Sequence, residues 1–239
     1  MEKIINFEKL RYFAYANDHI CKKPIRGIIM DFWGMDSTGI LNEDPDNAKY
    51  YAEKGILFLI PYYNPWAFCN RQTRAYIEEV LDVVYAHFDL PADFPLVYTG
   101  NSMGGLTALC CTVLCKYKAV ACLANCPVCD MGDHLYERPD LPHALYNTFG
   151  TYEGTLKEAM LTVSPLHLID KMPDIPYIIF CGEEDKLINK KKHSDRFVQE
   201  MKKSHRITYY EIPEMGHCNL PEEMKLRYRE IAANAILNM

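Results

Sequence analysis

Pro95-Leu96-Val97-Tyr98-Thr99-Gly100-Asn101-Ser102-Met103-Gly104-Gly105 joins a short apolar run to a serine flanked by glycines. Pro95 introduces the run Leu96 to Thr99, which has the character of a buried strand. A helix is expected soon after, from about Leu106 to Cys115. Gly100-x-Ser102-x-Gly104 therefore lies between a strand and a helix. So sharp a turn strains the backbone at the serine, and only residues without bulk at the glycine positions let strand and helix pack closely. The turn lifts the hydroxyl clear of the sheet. It also sets it beside a helix N-terminus, which favours developing negative charge. The bare pattern G-x-S-x-G is common by chance, and its position between these two elements is what gives it meaning.

Strands and helices alternate on both sides of this turn. Leu10 to Ala16 and Ile25 to Phe32 flank the polar turn at Asn17-Asp18 and are expected to form an antiparallel lead-in to a sheet. Asp44-Pro45 begins a helix expected to stop near Gly55. Ile56 to Ile60, closed by Pro61, has the pattern of a buried parallel strand. From about Thr73 to Phe88, residues Ile77, Val80, Leu81, Val84 and Phe88 fall on one helical stripe. Ala119 to Ala124 is the next strand. The pattern weakens over 131–171, which is rich in Pro, His and aromatic residues; a small, partly helical cap insertion over the sheet edge is expected there. It then resumes with a strand at Tyr177–Cys181, a helix at Lys190–Lys203, a strand at Ile207–Ile212 and a last helix at about Glu222–Leu237. This order predicts one α/β domain over residues 1–239, with a mostly parallel central sheet and helices on both faces.

Composition agrees with a folded globular chain. Of 239 residues, 49% are hydrophobic and 24% charged, enough apolar surface for a sizeable core. The formal net charge is −6. The one basic run, Lys190-Lys191-Lys192, has acids nearby and reads as a solvated helix face, so nucleic acid is not an expected partner. No apolar run approaches the length of a membrane span, and Met1 to Asn6 lacks the apolar stretch of a secretory signal. The ten cysteines crowd unevenly, with Cys110, Cys111, Cys115, Cys122, Cys126 and Cys129 in one stretch. Several lie inside apolar segments, so free thiols and a cytoplasmic location are expected.

A serine at neutral pH is a poor nucleophile without a base, and the base needs an orienting partner. The chain order Ser, acid, His is expected for such an arrangement on an α/β sheet. Tyr177 to Cys181 ends in Gly182-Glu183-Glu184-Asp185, a loop with competing carboxylates. Asp185 is favoured because it lies where the loop should turn back over the strand ends, with Glu184 as runner-up. Ile212-Pro213-Glu214-Met215-Gly216-His217 ends the last strand and presents a histidine before the final helix. A lone loop histidine is more often a surface residue, but this one follows the last strand at the same sheet edge, and Gly216 is expected to let the ring approach. Ser102, Asp185 and His217 would then project from the carboxyl ends of parallel strands, where open α/β sheets bind ligands.

Acyl transfer also requires donors for the oxyanion. The backbone N–H of Met103 is one candidate, and that of Met35, after Ile28-Ile29-Met30-Asp31-Phe32 and Trp33-Gly34, is the other. Tyr62, Tyr63 and Trp66, after the strand closed by Pro61, are candidates with Trp33 for lining a substrate pocket. Packing against the insertion would explain the same aromatics. His134, His143, Tyr146, Phe149 and Tyr152 could form a lid, or simply a small satellite core. The chemistry needs no cofactor and no metal.

These residues together resemble the α/β-hydrolase superfamily over nearly the whole chain. Gly100-Asn101-Ser102-Met103-Gly104-Gly105, Ser164-Pro165, Gly182-x-x-Asp185 and Gly216-His217 are similar to the prolyl-oligopeptidase-like and small acyl-esterase branches. The resemblance implies an α/β-hydrolase fold and a Ser-Asp-His triad at Ser102, Asp185 and His217. Many relatives have His-Gly in the oxyanion loop, where this chain has Trp33-Gly34. Oligopeptidases of that branch carry a large propeller domain, for which this length leaves no room. An esterase-like hydrolase acting on a small ester is thus implied more than a peptidase acting on short peptides.

Two other classes compete. Cys126-Pro127-Val128-Cys129 has the spacing of a redox dithiol or half a zinc site, though no second such pair follows. A non-catalytic binding protein on the same fold would have no need of all three triad roles. The natural substrate, the acyl length and the oligomeric state are not encoded in any recognisable pattern.

Overall fold

The computed structural model describes residues 5–35, 37, 39–64, 66–150 and 152–239. The first four residues of the Met1 to Asn6 stretch, read as lacking a secretory signal, thus lie outside the described residues. Among the described residues there are seven strands: β1 (Ala14–Ala16), β2 (Gly27–Phe32), β3 (Ile56–Pro61), β4 (Leu96–Asn101), β5 (Ala121–Asn125), β6 (Tyr177–Gly182) and β7 (Ile207–Ile212). They form one sheet in the order β1-β3-β2-β4-β5-β6-β7. Every neighbouring pair is parallel except β1 with β3. All residues of β2, β3, β5 and β6 are buried, as continuous apolar strands covered on both faces must be.

The helices are α1 (Asp46–Ala52), α2 (Arg71–Phe88), α3 (Met103–Leu114), α4 (Met131–His134), α5 (Leu141–Phe149), α6 (Leu156–Leu161), α7 (Pro165–Leu168), α8 (Arg196–Met201) and α9 (Glu222–Leu237). Two apolar clusters lie on the two faces of the sheet. Helices α2, α3 and α8, with the 131–171 segment, contribute to one. Helices α1 and α9 contribute to the other. In α2 the stripe Ile77, Val80, Leu81 and Val84 is buried, Asn70 caps the start by accepting from Thr73 N–H, and the chain leaves through a left-handed Asp89. Helix α3 is buried from Met103 through Thr112, so it is the central helix of its face.

Several elements differ from the sequence expectation. Phe7–Tyr12 is a 3-10 helix, and only Ala14–Ala16 of the first segment is strand. That strand pairs with β3 and not with β2. The reason is that β2 has parallel partners on both edges, β3 and β4, leaving no free edge for a hairpin. Helix α3 begins directly after Ser102 instead of near Leu106. The expected 190–203 helix opens with one π-helical turn, Lys191–Asp195, in which His193 and Ser194 are buried.

Segment 131–171 holds α4 to α7 and a 3-10 turn, Ile169–Lys171, and buries Leu141, Leu145, Phe149 and Met160. Glu137 joins it to the main body. Its carboxylate accepts from His193 Nε2 (3.0 Å) and from the backbone N–H of Asn189 (3.2 Å), and pairs with His134 Nδ1 (2.7 Å). All ten cysteines are free thiols. Among the described residues, no helix is long and apolar enough to cross a membrane.

Candidate active site

Ser102 occupies the turn between β4 and α3 with φ 57° and ψ −119°. A positive φ at a residue with a Cβ is strained and persists only where the surroundings impose it. Here they do. The Ser102 N–H donates to the Asn125 carbonyl (2.9 Å), and its own carbonyl accepts from Leu106 N–H (3.1 Å). Helix α3 is pressed so hard on the end of β2 that a Cβ at Gly104 would stand 1.9 Å from the Phe32 carbonyl oxygen. The side chain of Ser102 is half-buried at the carboxyl edge of the sheet.

Asp185 and His217 come together at that same edge. His217 Nδ1 donates to Asp185 Oδ2 at 2.7 Å. The other oxygen, Oδ1, accepts from the N–H groups of Leu187 (2.9 Å) and Ile188 (3.0 Å). The Asp185 side chain is fully buried, whereas Glu183 and Glu184 are exposed. Burial works to raise the Asp185 carboxyl, but the hydrogen bonds from His217 and the two N–H groups outweigh it and hold it below its ordinary value. Burial likewise works to lower His217, and its pairing with Asp185, with help from Cys126, outweighs that and raises it to about 9.

The two loops are clamped to each other. Glu183 N–H donates to the Ile212 carbonyl (3.1 Å) and Glu184 N–H to the Met215 carbonyl (3.0 Å). The glycine that matters in this approach is Gly182, not Gly216. Space around Gly216 is open and its φ is ordinary, while the left-handed residues of the histidine loop are Glu214 and Cys218.

Among the described residues no hydrogen bond joins Ser102 Oγ to His217. The Nε2 edge of the ring meets Cys218 Sγ at 3.5 Å. A ring nitrogen of His217, Cys126 Sγ and Cys218 Sγ lie within 4.8 Å of one another. Asn125 ties these parts together: its Nδ2 donates to Asn101 Oδ1 (3.0 Å) and to the Cys218 carbonyl (3.2 Å). The serine turn and the histidine loop are thus braced by one buried amide. Hydrogen bonds of catalytic groups are often long before substrate binds. Sequence reasoning misses Asn125 and Cys218, although Cys218 adjoins His217 and Asn125 ends the strand beside β4, and it places Cys126 only with Cys129.

The backbone N–H of Met103, first in α3, has no acceptor within its helix. Met35 follows Gly34, whose Cβ position would touch the Cβ of Ser102 at 3.4 Å. The loop of Trp33 and Gly34 therefore lies against the serine. The aromatic candidates divide. Trp33, Tyr62 and Tyr63 line a 230 Å³ pocket with Gly34. Trp66 lines a separate 480 Å³ cleft with Asn147 and Thr148 of the 131–171 segment. Neither wall includes Ser102 or His217. Tyr63 is also a brace, since its hydroxyl donates to the Trp33 carbonyl (3.0 Å). Of the lid candidates, His134, Phe149 and Tyr152 pack inward, and Tyr146 is exposed.

The fold has counterparts among solved structures. A puromycin-hydrolyzing peptidase of Mycobacterium tuberculosis superposes with a TM-score of 0.74 at 15% identity, covering 91% of this chain and 35% of that one. The apo form of esterase 2 from Thermogutta terrifontis gives 0.70 at 18% identity, covering 94% and 88%. An acylaminoacyl peptidase in complex with Z-Gly-Gly-Phe-chloromethyl ketone gives 0.68 at 14% identity, covering 88% and 36%. The chain has the α/β-hydrolase fold. It spans about a third of the length of the two peptidases and most of the length of the esterase. No family model and no curated protein matches the sequence. The Thermogutta esterase has also been solved with butyrate or propionate bound and phosphoramylated by tabun. At such identities the α/β-hydrolase likeness establishes architecture, and the reaction has to be argued from this chain's own residues.

Proposed function

We propose that this chain is a serine hydrolase that cleaves small carboxylic esters through an acyl-enzyme on Ser102. The observation that carries the reading is the pairing of a buried Asp185 carboxylate with a partly exposed His217 at the sheet edge where a strained turn presents Ser102. Asp185 keeps the proton of His217 on Nδ1, which leaves the Nε2 lone pair as the base. His217 takes the Ser102 proton as Oγ attacks the ester carbonyl, and the N–H groups of Met103 and Met35 receive the oxyanion. Protonated His217 then gives its proton to the departing alkoxide. Water repeats the sequence on the acyl-enzyme and frees the acid. A small rotation of the imidazole or of the serine hydroxyl has to bring Nε2 and Oγ into contact. Trp33, Tyr62 and Tyr63 line the pocket beside Gly34 that would take the acyl or alcohol group. The esterase with bound butyrate and propionate supports short acyl chains as the first to try.

The test is a panel of p-nitrophenyl esters of increasing acyl length, run beside a fluorophosphonate probe and aminoacyl-proline amides. Short esters should be cleaved, the probe should label Ser102, and Ser102→Ala should lose at least about 10³-fold in kcat. Native protein that takes no label, or that cleaves the amides far better than the esters, would refute the ester reading.

A further inference from the structure

The Nε2 edge of His217 faces sulfur. Its contact with Cys218 Sγ is 3.5 Å, and Cys126 Sγ completes a triangle within 4.8 Å. A zinc ion bound by a thiolate and an imidazole in tetrahedral geometry separates sulfur from nitrogen by about 3.6 Å, from metal–ligand lengths near 2.3 and 2.05 Å. The Cys218–His217 edge already has that length. The remaining edges, each within 4.8 Å, need at most about 1.2 Å of closure. Asp185 bonded to Nδ1 is the carboxylate–histidine support that orients a metal-binding imidazole and raises its basicity. Cys218 and His217 are partly exposed, so the triangle opens toward solvent, while Cys126 forms its buried floor. The positive φ of Cys126 (46°) and of Cys218 (61°) holds both residues in this arrangement. The CxxC pattern is not the basis of the cluster: among the described residues, no group of potential ligands contains Cys129, whose thiol is directed to the Pro127 carbonyl.

The geometry points to an inhibitory site for a thiophilic divalent cation, zinc as the type, built from Cys126 Sγ, Cys218 Sγ and His217 Nε2. Binding forms two metal–thiolate bonds and one metal–imidazole bond and releases to solvent the two thiol protons and, where the ring is protonated, the Nε2 proton of His217; no oxidant or reductant takes part. A fourth position is left for water. The inhibitory consequence, though not the binding, rests on His217 being the base of the hydrolase, because the metal takes the lone pair that Ser102 needs.

The experiment titrates reduced, chelator-treated full-length protein with ZnCl2 against a chromophoric zinc chelator, and separately with CoCl2. One zinc should bind per chain, and cobalt should produce a thiolate-to-metal charge-transfer band in the near ultraviolet. Cys218→Ala, a change at a partly exposed residue, and Cys126→Ser should each weaken zinc at least about tenfold and diminish the cobalt band. Cys129→Ser should leave both unchanged. Ser102→Ala should bind zinc as the native protein does, which separates this site from the serine chemistry. In the native protein, ester cleavage should fall over the same zinc range and return on adding chelator. Zinc binding that is absent, or that survives both Cys126→Ser and Cys218→Ala, overturns the site. Zinc bound by those thiols with no loss of ester cleavage overturns its inhibitory role. Failure of the fluorophosphonate label with zinc binding intact would count against the hydrolase reading and leave the metal site standing.

Discussion

Gly182 and Met215 approach so closely that a Cβ on the glycine would stand 2.1 Å from the Met215 carbonyl oxygen. That contact is where the loop carrying Asp185 meets the loop carrying His217. The neighbouring bond from Glu184 N–H to the same carbonyl, at 3.0 Å, shows how little slack there is. Gly182→Ala must therefore push the histidine loop away. We expect a loss of about 1–3 kcal/mol of stability, as for other overpacked sites, and a fall in kcat larger than any change in KM. Denaturant melts and steady-state kinetics with a short-chain ester check this, and an unaltered kcat would show that the loops tolerate separation.

Asp185→Asn keeps the shape of the pair but removes the charge and invites the wrong imidazole tautomer. By analogy with triads on other folds, kcat should fall by about 10⁴-fold. Glu184→Gln serves as the contrast: its side chain is exposed and its rate should stay within about twofold of native. Equal effects from the two substitutions would remove Asp185 from its role.

The rate should follow pH through His217. Only the neutral ring can act as base, and pairing with Asp185 raises its pKa to about 9. In metal-free buffer, kcat/KM should climb from neutrality and level off above about pH 9. The linked effect on stability has its own sign. A histidine whose pKa is raised on folding adds stability below its unfolded value, and that contribution is lost as pH rises through the folded one. A plateau already complete at neutral pH would mean that the ring is not held in this way.

Asp31 is buried at the end of β2 and receives the Thr99 hydroxyl at 2.6 Å. Burial outweighs that bond and raises its pKa to about 6. Because the folded value exceeds the unfolded one, the cost of ionising Asp31 in the native state grows as pH rises from about 4 to 6 and is fully present above that range. Asp31→Asn keeps an acceptor for Thr99 and removes the charge. It should raise the melting temperature at pH 8, by a gain of up to about 3 kcal/mol, and leave it little changed at pH 4. Equal shifts at both pH values would contradict a charge-based cause.

Local pattern alone located most of the fold. Residues 207–212 form a partly exposed edge strand and 222–237 a helix with those bounds, and the apolar runs at 56–60, 96–99 and 177–181 all lie in strands. Such runs are legible because a strand buried on both faces must be apolar throughout, and a helix on a sheet must carry a stripe. The same logic set Ser102, Asp185 and His217 each at the end of a strand. Order across the sheet was less accessible. That β1 lies against β3 follows from the closure of both edges of β2, a fact about partners distant in the chain.

Contacts between loops were decided only by tertiary structure. Three carboxylates stand within Gly182-Glu183-Glu184-Asp185, and burial together with the His217 hydrogen bond distinguishes Asp185 from the two exposed glutamates. Cys126 looked like the partner of Cys129, three residues on, yet its thiol lies with Cys218 and Cys181. Spacing reports what one turn of chain can bring together. Side chains that meet because two strand ends are adjacent in a sheet leave no period in the sequence, so their contacts emerge only when the sheet has assembled.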